Sequence, residues 1–278
     1  MKIPESLPKR ILPGLAFGLI LAGALIWNPW SFGTFMLTAI AVCTFEFMRI
    51  TQVLRDDEDK FRASYSILVT ASSWFCFIVV FLVEGAWVKS TFLSLTVLPV
   101  MIIIASEIFS HSKHPIQNIG LNLMALLYIG FPFVVSNSVV WQDGKFSGKV
   151  LVGSLVCVMM NDVGAYMVGS MIGRTKLISR ISPKKTVEGT IGGLFVSCFV
   201  AYLMFLALRT IPLLDWIIFG VIASVSGLLG DLVESLIKRS LQLKDTGDVI
   251  PGHGGFLDRF DSIIFSLPLF AVYTVLRF

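Results

Sequence analysis

Long apolar stretches follow one another along almost the whole of this chain, and they constrain its fold more than any other feature. A helix that crosses a bilayer needs about 20 mostly apolar residues, with roughly 17 to 25 tolerated. The 278 residues contain nine such stretches, at 11–28, 31–49, 65–84, 88–108, 119–138, 149–171, 189–208, 212–230 and 256–276. They predict an all-α integral membrane protein with nine transmembrane helices.

The composition excludes a soluble protein of this length. The chain is 55% hydrophobic and only 14% charged, whereas soluble domains carry about 25% charged residues. We expect a single polytopic membrane domain over residues 1–278, with N-terminal spans in 1–140 and catalytic C-terminal spans in 149–278. The four cysteines lie inside apolar stretches without metal-ligand spacing, which favours a packing role.

The distribution of basic residues predicts an orientation. Nine spans place the two termini on opposite sides, and 17 of the 22 Lys and Arg residues then share the side of the N-terminus. Because Lys and Arg mark the cytoplasmic side, the N-terminus is predicted inside and the C-terminus on the opposite side. Short loops favour a bacterial cytoplasmic (inner) membrane, and we expect no nucleic-acid partner.

A polar stripe follows the eighth span, in "GDLVESLIKRSLQLKD" at 230–245. Asp231, Glu234, Ser235 and Lys238 stand at i, i+3, i+4 and i+7, so on a helix they share one face. Two carboxylates, a hydroxyl and an ammonium on one face are typical of a binding site. An amphipathic helix lying flat on the membrane surface would show the same pattern, and this segment alone does not separate the two.

A glycine-rich loop, "PGHGG" at 251–255, leads directly into the last apolar stretch. Glycines let backbone N–H groups approach an anion closely, and the N-terminus of the following helix favours phosphate. Asp258 and Asp261 stand at i and i+3 on one face of that helix's start, although Asp258 also suits a helix cap. Arg259 adds a bidentate donor matched to phosphate.

These acids predict a divalent-cation site. Mg2+ typically takes one or two protein carboxylates together with phosphate oxygens, and Asp231, Asp258 and Asp261 could supply them. Further phosphate charge could be neutralised by four basic residues nearby: Lys238, Arg239, Lys244 and Arg259. A charge at membrane depth costs about 3 kcal/mol or more unless it is paired or wet. The charges are therefore interpreted as the walls of a water-filled pocket for cations and phosphates.

Two other polar segments are candidates. In "ISPKKTVEGTIGG" at 181–193, Ser182 fits a helix N-cap and Pro183 the first helical position. Lys184 and Lys185 then lie at a helix N-terminus, where an anionic ligand would relieve their conflict with the dipole. An inside-positive membrane anchor is the alternative interpretation of the lysines.

In "NDVGAYMVGS", Asp162 is an acid within a glycine-rich span, hence either a pocket residue or a structural partner. His253 is assigned a phosphate-binding or loop-shaping role. A phosphate monoester with a second pKa of about 6 needs no general base to act as a nucleophile.

The stretch "SLIKRSLQLKDTGDVIPGHGGFLDRFD", 235–261, resembles the characteristic sequence of the phosphatidate cytidylyltransferases, also called CDP-diacylglycerol synthases. The pattern S-x-x-K-R, K-D, P-G-H-G-G, D-R-x-D reads through without a gap. "GDLVES", "SPKKTVEG" and "NDVGAY" are similar to other motifs of that family. The motifs cover roughly the C-terminal 100 residues, and the N-terminal five spans match only in hydropathy and layout.

This resemblance implies that CTP and phosphatidate, a membrane lipid, react to CDP-diacylglycerol and pyrophosphate in a reaction that requires Mg2+. It also implies a potassium ion (K+) beside the magnesium, a homodimer, and a polar funnel open to the cytosol. Asp231 and Asp258 would bind metal, with Asp261 as a third carboxylate or as the group that orients Arg259. Lys184, Lys185, Lys238 and Arg239 would hold phosphates. The remaining substrate-binding candidates are Ser182, Ser235, Lys244, His253, Gly254, Gly255, Arg259 and Asp162.

Two other functions are considered. A CTP-dependent lipid-alcohol kinase would share the nucleotide and metal chemistry but transfer the terminal phosphoryl group to an alcohol, and the long 235–261 pattern argues against it. A cation transporter would place polar residues near the bilayer midplane in several spans and on both sides. Here they crowd toward the predicted cytoplasmic end.

Overall fold

The computed structural model describes residues 18–55, 62–110, 112–243, 246–247 and 255–278. It is almost entirely helical. The helices are α1 (Gly18–Trp27), α2 (Pro29–Ile50), α3 (Arg62–Glu84), α4 (Leu98–Ser106), α5 (Pro115–Ala125), α6 (Phe131–Val135), α7 (Asn137–Val140), α8 (Lys149–Ile172), α9 (Val187–Leu208), α10 (Leu213–Ser240) and α11 (Leu257–Arg277). Two antiparallel hairpins pair β1 (Trp141–Gln142) with β2 (Lys145–Phe146) and β3 (Lys176–Ile178) with β4 (Ser182–Thr186).

Within the described residues, eight helical stretches are long and apolar enough to cross a bilayer. Their bounds are Pro29–Leu54, Ala63–Glu84, Ser90–Phe109, Pro115–Val140, Lys149–Ile172, Val187–Leu208, Leu213–Ser240 and Leu257–Arg277. The chain is an integral membrane protein. The predicted first span, 11–28, is described only from Gly18 onward, so the count of nine stays a prediction.

Two of the spans are composites of several helix types. A 3-10 segment, Ser90–Val97, precedes α4, and a π-helical turn, Leu126–Gly130, joins α5 to α6. A Cβ atom at Gly130 would overlap the side chain of Ser73 on α3. The π turn therefore brings backbone rather than a side chain against α3.

The polar segment before α9 folds differently from the sequence prediction. Ser182 is not a helix N-cap, and Pro183 does not begin a helix, because Ser182–Thr186 forms β4 and pairs with β3. The cap is Thr186, whose hydroxyl accepts a hydrogen bond from the Gly189 N–H at 3.2 Å. A residue before proline is biased toward extended backbone, which favours the strand at Ser182.

Glu188 lies in the first turn of α9 and binds the backbone that follows α8. Its carboxylate accepts hydrogen bonds from the backbone N–H groups of Arg174 and Thr175, each at 3.1 Å. These bonds tie the first turn of α9 to the chain leaving α8. The hairpin β3–β4 is therefore fixed at both of its ends relative to these two helices.

Helices α8 and α9 pack closely through glycines. A Cβ atom at Gly164 would lie 2.7 Å from Val196, and one at Gly193 would lie 2.7 Å from the side-chain oxygen of Asn161. Small residues let helix backbones approach in membranes, where packing and interhelical hydrogen bonds drive association. α10 packs on both helices and α11 packs on α10, so these four helices surround a common space.

The two ends of the spans differ in chemistry. At one end Trp87 stacks on Trp30 at 5.4 Å between ring centroids and meets Trp141 edge-on at 5.5 Å. At the other end Arg55 donates to Asn118 and Asn122 at 3.3 and 2.7 Å. Aromatic clusters of this kind are typical of a membrane–water interface.

Candidate active site

A cavity of about 430 Å³ lies between α8, the start of α9, α10 and the start of α11. This is within the range of small-molecule sites, roughly 300–1,000 Å³. Its polar lining residues are Asn161, Asp162, Tyr166, Ser170, Lys184, Lys185, Thr186, Thr190, Ser224, Asp231, Asp258, Asp261 and Ser262.

The acids of the cavity come from three helices. Asp162 lies on α8, Asp231 on α10, and Asp258 and Asp261 on the first turns of α11. α10 runs without a break to Ser240, so the stripe that begins at Asp231 belongs to the spanning helix itself. The structure thus brings together four acids that are separated in sequence.

The basic side of the cavity is built by the hairpin and the start of α9. Lys184 and Lys185 lie on β4, and Thr186, Gly189 and Thr190 line the cavity at the helix N-terminus. The free N–H groups of a helix N-terminus and its dipole favour anions. Positive and negative groups therefore line the same cavity.

Asp231 is held from two directions. The Lys185 ammonium forms an ion pair with one of its oxygens, and the Ser235 hydroxyl, one turn further along α10, donates to the other at 3.3 Å. Ser235 thus orients Asp231 rather than lining the cavity itself. The ion pair couples the hairpin to α10.

Asp258 organises the chain that enters α11. Its Oδ1 accepts from the Lys238 ammonium at 2.7 Å. Its Oδ2 accepts from the backbone N–H and hydroxyl of Thr246, at 3.0 and 2.9 Å, and from the Gly255 N–H at 2.8 Å. The carboxylate lies at the cavity wall and holds residues that precede α11. Within the described residues it accepts no hydrogen bond from the N–H groups of the helix itself, so the capping role that the sequence left open is not observed.

Glu234 follows Asp231 by three residues on α10 and is almost fully buried, with 1% of its side chain exposed. Its Oε2 is 3.3 Å from the Lys238 ammonium, and the negative charge of Asp261 acts on its carboxyl group electrostatically. Two carboxyl groups that face each other repel when both are ionised, and a nearby positive charge relieves the repulsion.

The donor set suits a hard cation that also binds the substrate. Among the residues that the structure describes, no three His, Cys, Asp or Glu side chains converge on one point as ligands of a single ion. Mg2+ usually takes only one or two carboxylates and completes its shell with water and phosphate oxygens. Asp231, Asp258 and Asp261, facing one cavity from two helices, fit such a site.

Several predicted site residues lie elsewhere. In the described part of the chain, Ser182, Ser235, Lys238, Arg239, Gly255 and Arg259 are not in the cavity lining. Lys238 and Gly255 act through Asp258, whereas Arg239 and Arg259 are exposed. Lys244, His253 and Gly254 lie outside the described residues.

One acid at the site escaped the sequence analysis. Glu46 on α2 has only 2% of its surface exposed, and it accepts hydrogen bonds from the backbone N–H groups of Phe256 and Leu257 at 2.8 and 2.6 Å. The sequence did contain a signal for Glu46, because it is the single acid inside the second predicted span. Ionisable residues at membrane depth are functional candidates by default.

Comparison with known proteins gives one consistent family. A sequence model described as "Cytidylyltransferase family" matches residues 8–277. A phosphatidate cytidylyltransferase of Staphylococcus aureus (strain COL) is 37% identical over 194 residues, which cover 69% of this chain and 72% of that protein. The phosphatidate cytidylyltransferase of Bacillus subtilis (strain 168) is 35% identical over 170 residues, which cover 61% and 63%.

Proposed function

Because the chain belongs to the cytidylyltransferase family, we propose that it transfers the cytidylyl group of CTP to phosphatidate. The products are CDP-diacylglycerol and pyrophosphate, which makes the protein a nucleotidyltransferase of phospholipid biosynthesis. Relatives named phosphatidate cytidylyltransferase support this substrate pair. An integral membrane enzyme suits the reaction because one substrate is a lipid and the other is dissolved in water.

The observation that carries the proposal is the two-sided charge of the cavity. Lysines and a helix N-terminus form one wall, and four aspartates lie among the residues of the other walls. A nucleotide triphosphate with its metal ion has the complementary arrangement, since its phosphates are anionic and its metal is cationic. A purely basic or purely acidic cavity would suit only one of these two partners.

Asp231 and Asp258 are proposed to hold Mg2+, with Asp261 beside them. When bound, the ion would neutralise phosphate charge and polarise the phosphorus under attack. Each of the first two carboxylates is paired with an ammonium group, Lys185 or Lys238. A divalent cation at the carboxylates would leave both ammonium groups available to phosphate oxygens. A K+ ion beside the magnesium is proposed only on the basis of the sequence resemblance.

The protein's own groups mainly position the two substrates and neutralise the charge of their phosphates. A phosphate oxygen of phosphatidate attacks the α-phosphorus of CTP, the bond to the bridging oxygen breaks, and pyrophosphate leaves with its electron pair. Lys184, Lys185 and the α9 N-terminus stabilise the charge that develops on the phosphates. Catalysis then rests on orientation and electrostatic stabilisation, as in other phosphoryl transfers.

A product analysis tests the proposal directly. Purified protein in detergent is incubated with labelled CTP, phosphatidate and Mg2+, with and without a chelator. We expect a CDP-linked lipid and an equal amount of pyrophosphate, and loss of both with the chelator. Phosphorylated lipid together with CDP would identify a lipid kinase and overturn the proposal, as would the absence of any lipid product from active, folded protein.

The orientation and the assembly are also proposals. The excess of basic residues on the N-terminal side supports a cytoplasmic N-terminus and a cavity that opens to the cytosol. Bacterial relatives support a location in the bacterial cytoplasmic membrane. The homodimer rests on the resemblance, and the mass of the protein–detergent complex tests it.

A further inference from the structure

We propose that Glu46 is a positioning residue for the cytidylyl-transfer site. Its carboxylate anchors the first turn of α11 and the described residues on either side of the glycine-rich segment. The expected effect on catalysis rests on the proposed function, whereas the anchoring of α11 by Glu46 does not depend on it.

The hydrogen bonds of Glu46 define an unusual helix cap. The first N–H groups of any helix lack partners within the helix. At α11 the N-cap position is occupied by Phe256, whose side chain cannot accept a hydrogen bond. Glu46 takes this role from α2: Oε1 accepts from the Phe256 N–H at 2.8 Å and Oε2 from the Leu257 N–H at 2.6 Å. A negative charge at a helix N-terminus is also favoured by the dipole.

The same carboxylate reaches the other side of the segment. The Thr246 hydroxyl lies 3.5 Å from Glu46 Oε2 and donates to Asp258 Oδ2 at 2.9 Å. Glu46 and Asp258 therefore both hold Thr246 and the residues at the start of α11 by hydrogen bonds. A change at Glu46 is transmitted to Asp258 through groups that both acids share.

Gly255 shows how tightly the carboxylate fits. A Cβ atom at this position would lie 2.8 Å from Glu46 Oε2 and would overlap the Thr246 hydroxyl. Only glycine leaves room for the acid, so part of the glycine-rich pattern serves this anchor. The cost of an acid in a spanning helix is offset by the backbone N–H groups of Phe256 and Leu257, which donate to it.

The test combines amide hydrogen exchange with kinetics on the full-length protein in detergent. In Glu46→Gln the carbamoyl group offers one acceptor and directs an NH2 group at the second backbone N–H. We expect faster exchange in peptides that contain Phe256 and Leu257. We also expect a loss of about ten-fold in kcat/KM for CTP, as the weakening of one charge-assisted hydrogen bond predicts. Glu46→Asp, which keeps the charge but shortens the reach, should lie between wild type and Glu46→Gln.

A second buried acid of the N-terminal half provides the matched control. Glu107 accepts hydrogen bonds from Tyr65 on α3 and from Asn118 on α5, at 2.9 and 2.8 Å, and so belongs to a different part of the fold from the start of α11. Glu107→Gln should leave exchange at Phe256 and Leu257, and kcat/KM for CTP, as in wild type.

The two proposals fail in different ways. If Glu46→Gln leaves exchange and kinetics as in wild type, or if Glu107→Gln accelerates exchange in the same peptides equally, the positioning role is wrong. If wild-type protein makes no CDP-lipid, the proposed function is wrong, whereas the exchange measurement still decides whether Glu46 anchors α11. Glu46→Asp keeps the test decisive if Glu46→Gln does not fold.

Discussion

Two carboxylates at the cavity, those of Asp231 and Asp258, are each paired with a lysine and are also the proposed metal ligands. The Lys185 ammonium pairs with Asp231, and Lys238 pairs with Asp258. Exposed ion pairs contribute little to stability, and the side chains of both pairs are partly exposed. The main consequence of these ion pairs is therefore that cationic and anionic groups are already positioned for a ligand that carries both charges.

Asp231→Asn should remove most of the activity without unfolding the protein. The amide keeps the hydrogen-bonding size but loses the charge that a cation requires. We expect kcat to fall at least about 100-fold, the scale found when one electrostatic stabiliser is removed from an active site. Steady-state kinetics of CDP-lipid formation measure this loss.

Asp215→Asn is the matched control on the same helix. Asp215 is buried at the opposite end of α10 and accepts from Tyr273 and Arg277 at 2.6 and 2.9 Å. Its substitution should cost about 1–3 kcal/mol of stability, because charge-assisted hydrogen bonds weaken, while kcat stays near wild type. Wild-type turnover in Asp231→Asn, or equal losses in both variants, would contradict the metal assignment.

At the scale of elements, hydropathy located the eight described spans but not the details between them, and it ended the span 212–230 well before α10 ends at Ser240. The predicted stretch 149–171 corresponds to α8, Lys149–Ile172, and 189–208 to α9, Val187–Leu208. Apolar length is a local property and is readable from the sequence. The π turn at Leu126–Gly130 has no such signal, because it depends on the close approach of α3 at Gly130.

The hairpin before α9 shows why the site was only partly predictable. Ser182 and Pro183 satisfy the local rules for a helix start, but pairing with β3 and the cap at Thr186 prevail. Lys184 and Lys185 still reach the cavity because they precede the helix by a few residues. Residue chemistry and spacing indicated candidate site residues. A long-range contact such as that of Glu46 with Leu257 leaves no local pattern in the sequence.

The packing of α8 on α9 gives a prediction at this scale. In Gly193→Ala the new methyl group would lie 2.7 Å from the Asn161 side-chain oxygen and 3.1 Å from Ala165. Overpacking of this kind costs about 1–3 kcal/mol, and the displaced α8 carries Asp162. We expect a lower melting temperature in detergent together with reduced kcat.

Gly120→Ala is the control for that substitution. Gly120 lies within α5, and a methyl group there would meet nothing within 4 Å. Because alanine is the better helix former, we expect an unchanged or slightly higher melting temperature and normal kcat. A destabilisation as large as that of Gly193→Ala would show that general glycine effects, rather than the α8–α9 contact, are responsible.

At the scale of the whole molecule, the N-terminal spans contribute to the site as well as to the membrane anchor. The motifs of the sequence analysis all lie after residue 160, but α2 sends Glu46 to the start of α11. α11 also packs against α6 and α7. The first spans therefore determine the position of the helix that carries Asp258 and Asp261.

The two ends of the molecule should face opposite compartments, and labelling of single cysteines tests this. The four native cysteines, Cys43, Cys76, Cys157 and Cys198, are first replaced by alanine. Ser179→Cys then places a thiol in the turn between β3 and β4, and Gln142→Cys places one at the exposed end of β1. Because basic residues concentrate on the side of the β3–β4 hairpin, an impermeant maleimide should label Gln142→Cys in intact spheroplasts and Ser179→Cys only after permeabilisation. The reverse pattern would place the cavity on the outer face, where CTP is absent, and labelling of both sites in intact cells would contradict the predicted number of crossings between them.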